Sequence, residues 1–175
     1  MKNRTFRIGN IGVDRALLIS SFVFRLLQED WSDVFKPQSV RSYQQIFSAA
    51  YFTEALRKDH TALGAFVKEE LIGIYILKKE FGGVGFVDWL GVDKRFRRQG
   101  VASELLRLGD QLALSLKLHF LYLYTERKSN ISFYENRGFK LIGTLNNAWF
   151  GEDECVLAKQ LKDQPFAEVY KKVGR

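Results

Sequence analysis

The pattern of apolar and polar positions divides the chain into helices and strands. Apolar residues recur every three or four positions over residues 13–28, 40–57 and 102–116, which predicts three amphipathic helices. A shorter helix is predicted over 130–137, because Gly138 stands where a helix end favours glycine. Segments of alternating or continuous apolar residues predict seven strands, at 4–8, 61–68, 71–77, 84–92, 118–125, 139–145 and 154–161.

The connections between these segments predict how the strands pair. Residues 69–70 and 82–83 form short turns, which favour antiparallel hairpins. The succession of strand, helix and strand over 84–125 favours a right-handed parallel crossover. The chain therefore predicts an α/β (α+β) fold with a mixed, mostly antiparallel central sheet of about six or seven strands and about four flanking helices.

The length and the lack of internal repeats or linkers predict a single domain over residues 1–175, with its core at about 4–161. In the tail, residues 162–175, apolar side chains fall at helical intervals. This tail would form a short helix on its own domain or on a partner subunit, which leaves a homodimer open, or it would remain frayed.

The composition narrows the functional classes without selecting one. A net charge of +7 fits a solvated basic surface, a positive field for an anionic cofactor, or nucleic-acid binding; the sequence lacks a recognised nucleic-acid module, which argues against the last. Cys155 is the only cysteine, so no intrachain disulfide can form, which suits a reducing compartment. The sequence shows no membrane-spanning segment, signal peptide or metal-ligand spacing, and a cytoplasmic location is expected.

The turn from the strand at 84–92 into the helix at 102–116 offers a site for an anion. A strand that passes through a glycine into a helix leaves the first helical N–H groups without intrahelical partners. These donors and the helix dipole favour a phosphate or pyrophosphate, and Gly100 has no Cβ to keep such a ligand away. Four cations surround this turn: Lys94, Arg95, Arg97 and Arg98.

Two motifs in this region carry a resemblance to a known family. Arg97-x-x-Gly100-x-Ala102 resembles the (Arg/Gln)-x-x-Gly-x-(Gly/Ala) loop of the GNAT superfamily of acyl-CoA-dependent N-acetyltransferases. Further along, residues 130–139 (Asn-Ile-Ser-Phe-Tyr-Glu-Asn-Arg-Gly-Phe) resemble the family's second motif, in a form similar to the puromycin N-acetyltransferase-like branch. The pair covers about residues 84–145 and implies a GNAT fold, in which a splayed parallel pair of strands holds coenzyme A.

The resemblance implies acetyl-CoA (coenzyme A) as the cofactor. Backbone N–H groups of residues 98–103 are expected to bind the pyrophosphate, and backbone groups of Leu90 and Val92 the pantetheine arm, one of them polarising the thioester oxygen. Gly91 would permit a bulge between these two residues, although a glycine required only for packing is the alternative. The predicted cofactor-binding residues are Leu90, Gly91, Val92, Arg97, Arg98, Gln99, Gly100, Val101, Ala102, Ser103, Asn130 and Phe133.

The second motif supplies a candidate general acid. Tyr134 resembles the tyrosine whose phenol protonates the sulfur of the leaving group, since a phenol with a pKa of about 10 stays protonated at neutral pH. The alternative for Tyr134 is packing under the sheet. Asn130 would bind the pantetheine amides or cap its helix, and Phe133 and Phe139 are interpreted as core anchors of the motif.

Asp88 is the candidate general base. It stands four residues before Val92, and the period of a strand places it on one face with Phe86, Leu90 and Val92. An isolated carboxylate among apolar neighbours would have a raised pKa, which suits a base. The alternative is that Asp88 faces solvent or pairs with a nearby cation.

Three further groups complete the candidate chemistry. His60 is expected to be exposed at a helix exit, and His119 is expected to be structural. The puromycin-like branch commonly has a Glu before the equivalent of Thr125, where this chain has Tyr124. The aromatic residues in the predicted helix at 40–57 either belong to the core or line an acceptor pocket.

These residues predict an acetyl-CoA-dependent N-acetyltransferase that acts by direct attack of a primary amine in a ternary complex. The acceptor would be a small-molecule amine or a peptide N-terminus, and the net charge of +7 disfavours polycationic acceptors. Arg127, Lys128 and Arg137 are expected near the 3′-phosphate of the nucleotide. The alternative is a non-catalytic GNAT-fold module that binds CoA for regulation or assembly.

Overall fold

The structure, a computed structural model, describes residues 6–30, 36–126 and 128–162. Within these ranges seven strands form one sheet: β1 (Arg7–Ile11), β2 (His60–Val67), β3 (Glu70–Lys79), β4 (Val84–Val92), β5 (Phe120–Thr125), β6 (Lys140–Leu145) and β7 (Glu154–Gln160). Five α-helices accompany them: α1 (Ala16–Asp30), α2 (Pro37–Ile46), α3 (Ala49–Lys58), α4 (Val101–Ser115) and α5 (Ile131–Glu135). Among the described residues, none of the helices combines the length and apolarity needed to cross a membrane. The predicted tail helix lies outside the described residues.

The sheet has the order β1-β2-β3-β4-β5-β7-β6, and all neighbouring strands are antiparallel except β4 and β5. The predicted mixed, mostly antiparallel sheet is therefore confirmed. β1 runs through Asn10 and Ile11, beyond the predicted end of the first strand at residue 8. The strand continues because Ile11 pairs with Ala62 of β2 and is buried against α1.

The helix predicted over 40–57 is two helices, α2 and α3. Phe47 leaves the helical conformation, with ψ at 45°, and the Ser48 side chain accepts a hydrogen bond from the Tyr51 N–H at 3.3 Å as the N-cap of α3. The Ser20 hydroxyl on α1 donates to the Phe47 carbonyl at 3.0 Å, which satisfies an acceptor at the break. The aromatic spacing continues across this break, so the apolar pattern does not show it.

The helices pack on the two faces of the sheet. On one face, Leu105 of α4 lies in a cluster with Tyr75 of β3. On the other face, Val23 of α1 and Phe52 of α3 cluster with Ile74, the strand neighbour of Tyr75. Side chains at successive strand positions point to opposite faces, so α4 lies opposite α1 and α3.

The two parallel strands separate along their length. β4 and β5 pair only through Val84–Phe86 and Phe120–Tyr122. Both strands continue beyond this point, to Val92 and Thr125, without pairing to each other. The predicted splayed pair is therefore present, and its open end is an opening in the sheet.

β4 carries a bulge at Asp88. Trp89 pairs with Ile76 whereas Val87 pairs with Leu77, so Asp88 is the extra residue on β4. A bulge bends its strand and redirects the inserted side chain. The bulge therefore coincides with the point at which β4 leaves β5.

The bulge changes which face each residue of β4 occupies. Phe86 and Trp89 both lie on the side of α2, although strict alternation would place them on opposite faces. Leu90 and Val92 pack on the side of α4. The prediction that Asp88 shares one face with Phe86, Leu90 and Val92 is therefore wrong, because the inserted residue interrupts the alternation.

Gly91 does not form the bulge that the sequence suggested. It pairs regularly with Ile74 on β3. A Cβ added at Gly91 would lie 2.3 Å from Leu26 Cδ1 on α1, well inside van der Waals contact. The packing alternative for Gly91 fits the structure, because a side chain there would displace the Leu26 side chain of α1.

Candidate active site

The opening between β4 and β5 is a cleft of about 850 Å³, which we call the interstrand cleft. It extends from the separated strands to the N-terminus of α4 and to α5. The predicted site residues that line it are Asp88, Leu90, Gly91, Val92, Arg97, Arg98, Gly100, Val101, Ala102, Ser103, Asn130, Phe133 and Tyr134. Gln99 is not among the lining residues; it is exposed, and its side chain donates to the Arg95 carbonyl at 3.2 Å.

The N-terminus of α4 opens onto the interstrand cleft. Gly100 precedes the helix in the left-handed conformation, with φ at +84°, which favours glycine. Apart from its two chain neighbours, none of the described residues has an atom within 4 Å of the position that a Cβ would occupy, so the space before the helix is open. The N–H groups of the first turn have no carbonyl partners within the helix, and together they offer an anion a set of donors.

Only part of the predicted cation cluster faces the cleft. Arg97 Nε donates to the Val92 carbonyl at 3.0 Å, which holds its guanidinium at the cleft wall. Lys94 instead lies 3.7 Å from Glu29 on α1. Arg95 binds Asp93 at 2.7 Å and also pairs with Glu70. The expectation that four cations surround the anion site is wrong, since Lys94 and Arg95 are held by carboxylates elsewhere.

Arg137 links the two motifs across the cleft. Its guanidinium donates to the Phe133 carbonyl at 2.6 Å and to the Ser103 hydroxyl on α4, and it lies 3.8 Å from the Phe133 ring centroid. Arg137 also lines the cleft, as expected for a cation near the cofactor. Lys128 is exposed and does not line it, and Arg127 lies outside the described residues.

Tyr134 is buried at the wall of the interstrand cleft. It packs edge-on against Phe133 and Phe139, with ring centroids 5.1 and 5.8 Å away. Burial and the nearby charge of Glu126 raise the pKa of the Tyr134 phenol above its ordinary range, so the group is protonated at neutral pH. Tyr134 is thus a proton donor that faces the cleft.

Asn130 does not cap α5 with its side chain. Its backbone is already in the right-handed helical region, and its side chain makes no capping hydrogen bond. The Asn130 amide donates instead to the Thr125 hydroxyl at 3.3 Å, which directs it to the end of β5. Helix α5 is shorter than the predicted 130–137, because residues 136–138 form a turn after it.

Asp88 is not an isolated carboxylate. Burial and the nearby charge of Asp88 raise the pKa of the Tyr51 phenol, and His60 Nε2 lies 3.4 Å from Asp88 Oδ2 in an ion-pair contact that is long for a hydrogen bond. On the other side of the imidazole, His60 Nδ1 lies 2.6 Å from Asp59 Oδ1. The alternative that Asp88 pairs with a cation therefore describes the structure.

His60 was expected to be exposed, but its side chain is only 6% exposed. The expectation is wrong because β2 begins at His60 and carries the imidazole between Asp59 and Asp88. Burial alone would lower the pKa of His60, but hydrogen bonds and the charges of the two carboxylates outweigh burial and raise the pKa. The imidazolium is thus favoured, and it holds the Asp88 carboxylate in place.

A second cavity adjoins the interstrand cleft at Asp88. We call it the aromatic pocket; its volume is about 300 Å³. Val87, Asp88, Trp89, Tyr124 and Glu126 line both cavities, so the two meet at the bulge. Its remaining aromatic residues are Tyr43, Phe47, Phe86, Tyr122 and Trp149. The alternative that aromatics of the segment at 40–57 line a pocket thus applies to Tyr43 and Phe47.

Sequence reasoning missed two carboxylates of this pocket, Glu126 and Glu154. Thr125 of β5 pairs with Cys155 of β7, and this antiparallel register brings Glu126 opposite Glu154. Glu154 is 5% exposed, and burial together with Glu126 and Glu152 raises its pKa to about 7. The sequence signal that could have identified them is an acidic residue directly after the predicted strand at 118–125 and another at the start of the predicted strand at 154–161.

Comparison with known proteins places this geometry in a family. Residues 21–139 match the family model described as the acetyltransferase (GNAT) family. The chain is 33% identical over 106 residues to N-alpha-acetyltransferase 30 of Dictyostelium discoideum, a match that covers 57% of each chain. The chain thus spans little more than half the length of this curated relative.

Solved structures share the fold. The PaiA N-acetyltransferase of Thermoplasma acidophilum, in complex with coenzyme A, matches with a TM-score of 0.76 and 18% identity over 89% of this chain and 98% of that one. An acetyltransferase of the GNAT family from Streptococcus pneumoniae matches with a TM-score of 0.73 and 18% identity over 90% and 99% of the two chains. At these identities the likeness shows the fold alone, and the puromycin-like branch stays a prediction.

The predicted GNAT fold is confirmed by these matches and by the splayed strands. The family match over residues 21–139 contains both sequence motifs and every residue that lines the interstrand cleft. The chain therefore belongs to the acetyltransferase (GNAT) family, whose members transfer acetyl groups from acetyl-CoA.

Proposed function

We propose that this protein is an acetyl-CoA-dependent N-acetyltransferase that acts on a primary amine of a small molecule or a peptide N-terminus. The amine attacks directly while both substrates are bound. The observation that carries this proposal is the meeting of two cavities at Asp88. One cavity has a protonated tyrosine and an open helix N-terminus on its wall, and the other reaches the same point from the opposite side.

The residues of the interstrand cleft fit coenzyme A in three respects. The open N-terminus of α4 offers backbone donors to a pyrophosphate, and Arg97, Arg98 and Arg137 add positive charge. The segment of β4 beyond Phe86 is not paired with β5, so its edge toward the cleft can pair with an extended amide chain, apart from the Val92 carbonyl that accepts from Arg97. When bound there, acetyl-CoA supplies an activated thioester.

Two side chains of the site provide the proton transfers. Asp88, at the junction, accepts a proton from the incoming amine directly or through water, and His60 orients the carboxylate. The amine nitrogen forms a bond to the acetyl carbon as the carbon–sulfur bond breaks. Tyr134 donates its proton to the departing sulfur and leaves coenzyme A as the free thiol.

The Tyr134→Phe variant tests the general acid. It removes one hydroxyl and keeps the ring packing, so kcat should fall by about 100-fold or more, since positioned acids contribute rate factors of that order. A free-thiol assay gives kcat, and calorimetry with coenzyme A should show an unchanged Kd. Tyr75→Phe is the matched control, because Tyr75 is fully buried away from both cavities and should keep wild-type turnover.

Two outcomes would contradict this proposal. Wild-type turnover in Tyr134→Phe would exclude its role as the acid. Binding of acetyl-CoA without thiol release on any amine would favour the alternative, a module that binds coenzyme A for regulation or assembly.

A further inference from the structure

The aromatic pocket holds more negative charge than the proposed proton transfers require. Four carboxylates line it, on Glu80, Asp88, Glu126 and Glu154, and among its described lining residues Lys78 is the only cation. Lys78 Nζ lies 3.1 Å from Glu80 Oε1, and His60 lies beside Asp88.

Glu154 is a buried carboxylate beside which the described part of the chain places no cation. It is 5% exposed and lines the aromatic pocket, and within residues 6–30, 36–126 and 128–162 its side chain forms neither a hydrogen bond nor an ion pair. Glu152 next to it has a buried Oε1 that also lacks a hydrogen-bond partner in these ranges. A buried carboxylate without a partner is costly, and a bound cation relieves that cost.

The walls of the pocket favour an organic cation over a metal ion. Aromatic rings follow one another along it: Phe86 and Tyr122 lie 5.0 Å apart and Tyr124 and Trp149 lie 4.9 Å apart, as ring centroids. Ring faces attract ammonium groups within about 6 Å. Among the described residues, no three His, Cys, Asp or Glu side chains are arranged to hold a metal.

We propose that the acceptor is a dication. One primary amine reaches Asp88 and is acetylated, and a second cationic nitrogen binds between Glu154 and the aromatic rings. The second nitrogen keeps its proton, so the product retains one positive charge. This inference rests on the proposed N-acetyltransferase function and specifies the substrate class of the same site.

The net charge of +7 predicts that polycationic acceptors are disfavoured. The aromatic pocket, however, is lined mainly by carboxylates, so its local charge has the opposite sign. Salt screens charges over about 8 Å under physiological conditions. A ligand inside the pocket therefore interacts mainly with the carboxylates that contact it, and the distant surface cations have little effect on its binding.

A set of amines of equal length tests the inference. Diaminobutane carries an ammonium group at each end of its four-carbon chain. Aminobutanol has a hydroxyl in place of the second ammonium group, and butylamine has neither an ammonium group nor a hydroxyl at that end. The free-thiol assay should give diaminobutane a kcat/KM about tenfold or more above the other two, as expected for a desolvated ion pair. Two short peptides that differ only at the second residue, one beginning Ser-Lys and the other Ser-Gln, form a second comparison. A higher kcat/KM for the Ser-Lys peptide would show that the second charge can be supplied by a peptide side chain.

The Glu154→Gln variant locates the second charge. It should bring kcat/KM for the preferred dication close to that of its neutral analogue and lower the value for the analogue much less. Glu54→Gln is the matched control, because Glu54 is exposed on α3, does not line either cavity and loses the same charge. Equal use of dications and neutral analogues by the wild type would overturn the inference, as would a preference that Glu154→Gln retains.

Calorimetry separates this inference from the proposed function. If no amine releases thiol, the proposed function fails, and diaminobutane is titrated into the protein directly. Binding that Glu154→Gln abolishes would still support a cation site at Glu154. The absence of binding would overturn it.

Discussion

Replacement of Glu154 by glutamine should favour the folded protein more above neutral pH than in acid. Burial together with Glu126 and Glu152 raises the pKa of this carboxyl from 4.5 to about 7. The folded state therefore binds the proton more tightly than the unfolded state. The resulting stabilisation is complete below pH 4.5 and is lost as the pH rises through about 7, whereas glutamine stays neutral throughout.

The magnitude follows from the two pKa values. The interval from 4.5 to about 7, at about 1.4 kcal/mol per pH unit, corresponds to about 3 kcal/mol of unfolding free energy. This is an upper bound, because the glutamine amide must itself be buried without a partner, at a cost of about 1–3 kcal/mol. We therefore expect a gain of about 0–2 kcal/mol at about pH 8 and an effect about 2 kcal/mol less favourable at about pH 5.

Urea unfolding followed by tryptophan fluorescence measures this difference at both pH values. Glu54→Gln, with its side chain exposed, removes the same charge and should change the free energy of unfolding little at either pH. A gain in Glu154→Gln that is equal at the two pH values would refute the reasoning. A loss of stability at about pH 8 would refute it as well.

Two further variants test the junction and the packing behind it. Asp88→Asn removes the carboxylate but keeps the shape of the side chain, so kcat should fall by about 100-fold and the acidic limb of the pH–rate profile should change. An identical pH–rate profile in the free-thiol assay would show that another group is the base. Gly91→Ala places a Cβ 2.3 Å from Leu26 Cδ1 and should lower the free energy of unfolding by about 1–3 kcal/mol. Gly143→Ala, where no atom lies within 4 Å of an added Cβ, should cost much less in urea unfolding, and equal losses would contradict the packing argument.

The open N-terminus of α4 could be predicted from the sequence, because the residues that form it are neighbours in the chain. β4 ends at Val92 and α4 begins at Val101, as the apolar pattern indicated. The positive φ of Gly100 and the free N–H groups of the first helical turn follow from residues adjacent in the chain. Tyr134 could be predicted for a related reason, since its motif is short and continuous.

The partners of the candidate base could not be predicted. His60 begins β2 and Asp88 lies on β4, with β3 between the two strands. The bulge that redirects Asp88 is a mismatch in the register of β3 and β4, and apolar periodicity is insensitive to an inserted residue of this kind. The prediction of an isolated Asp88 failed because these contacts join residues far apart in the chain.

The sequence by itself determined the family, the order of the strands and the glycine turn into α4, because each depends on the spacing of neighbouring residues. Only the tertiary structure decided which carboxylates meet at the aromatic pocket. Glu126 and Glu154 lie opposite each other because Thr125 of β5 pairs with Cys155 of β7. That register is set by packing across the whole sheet, and a shift of one residue would move both side chains to other positions.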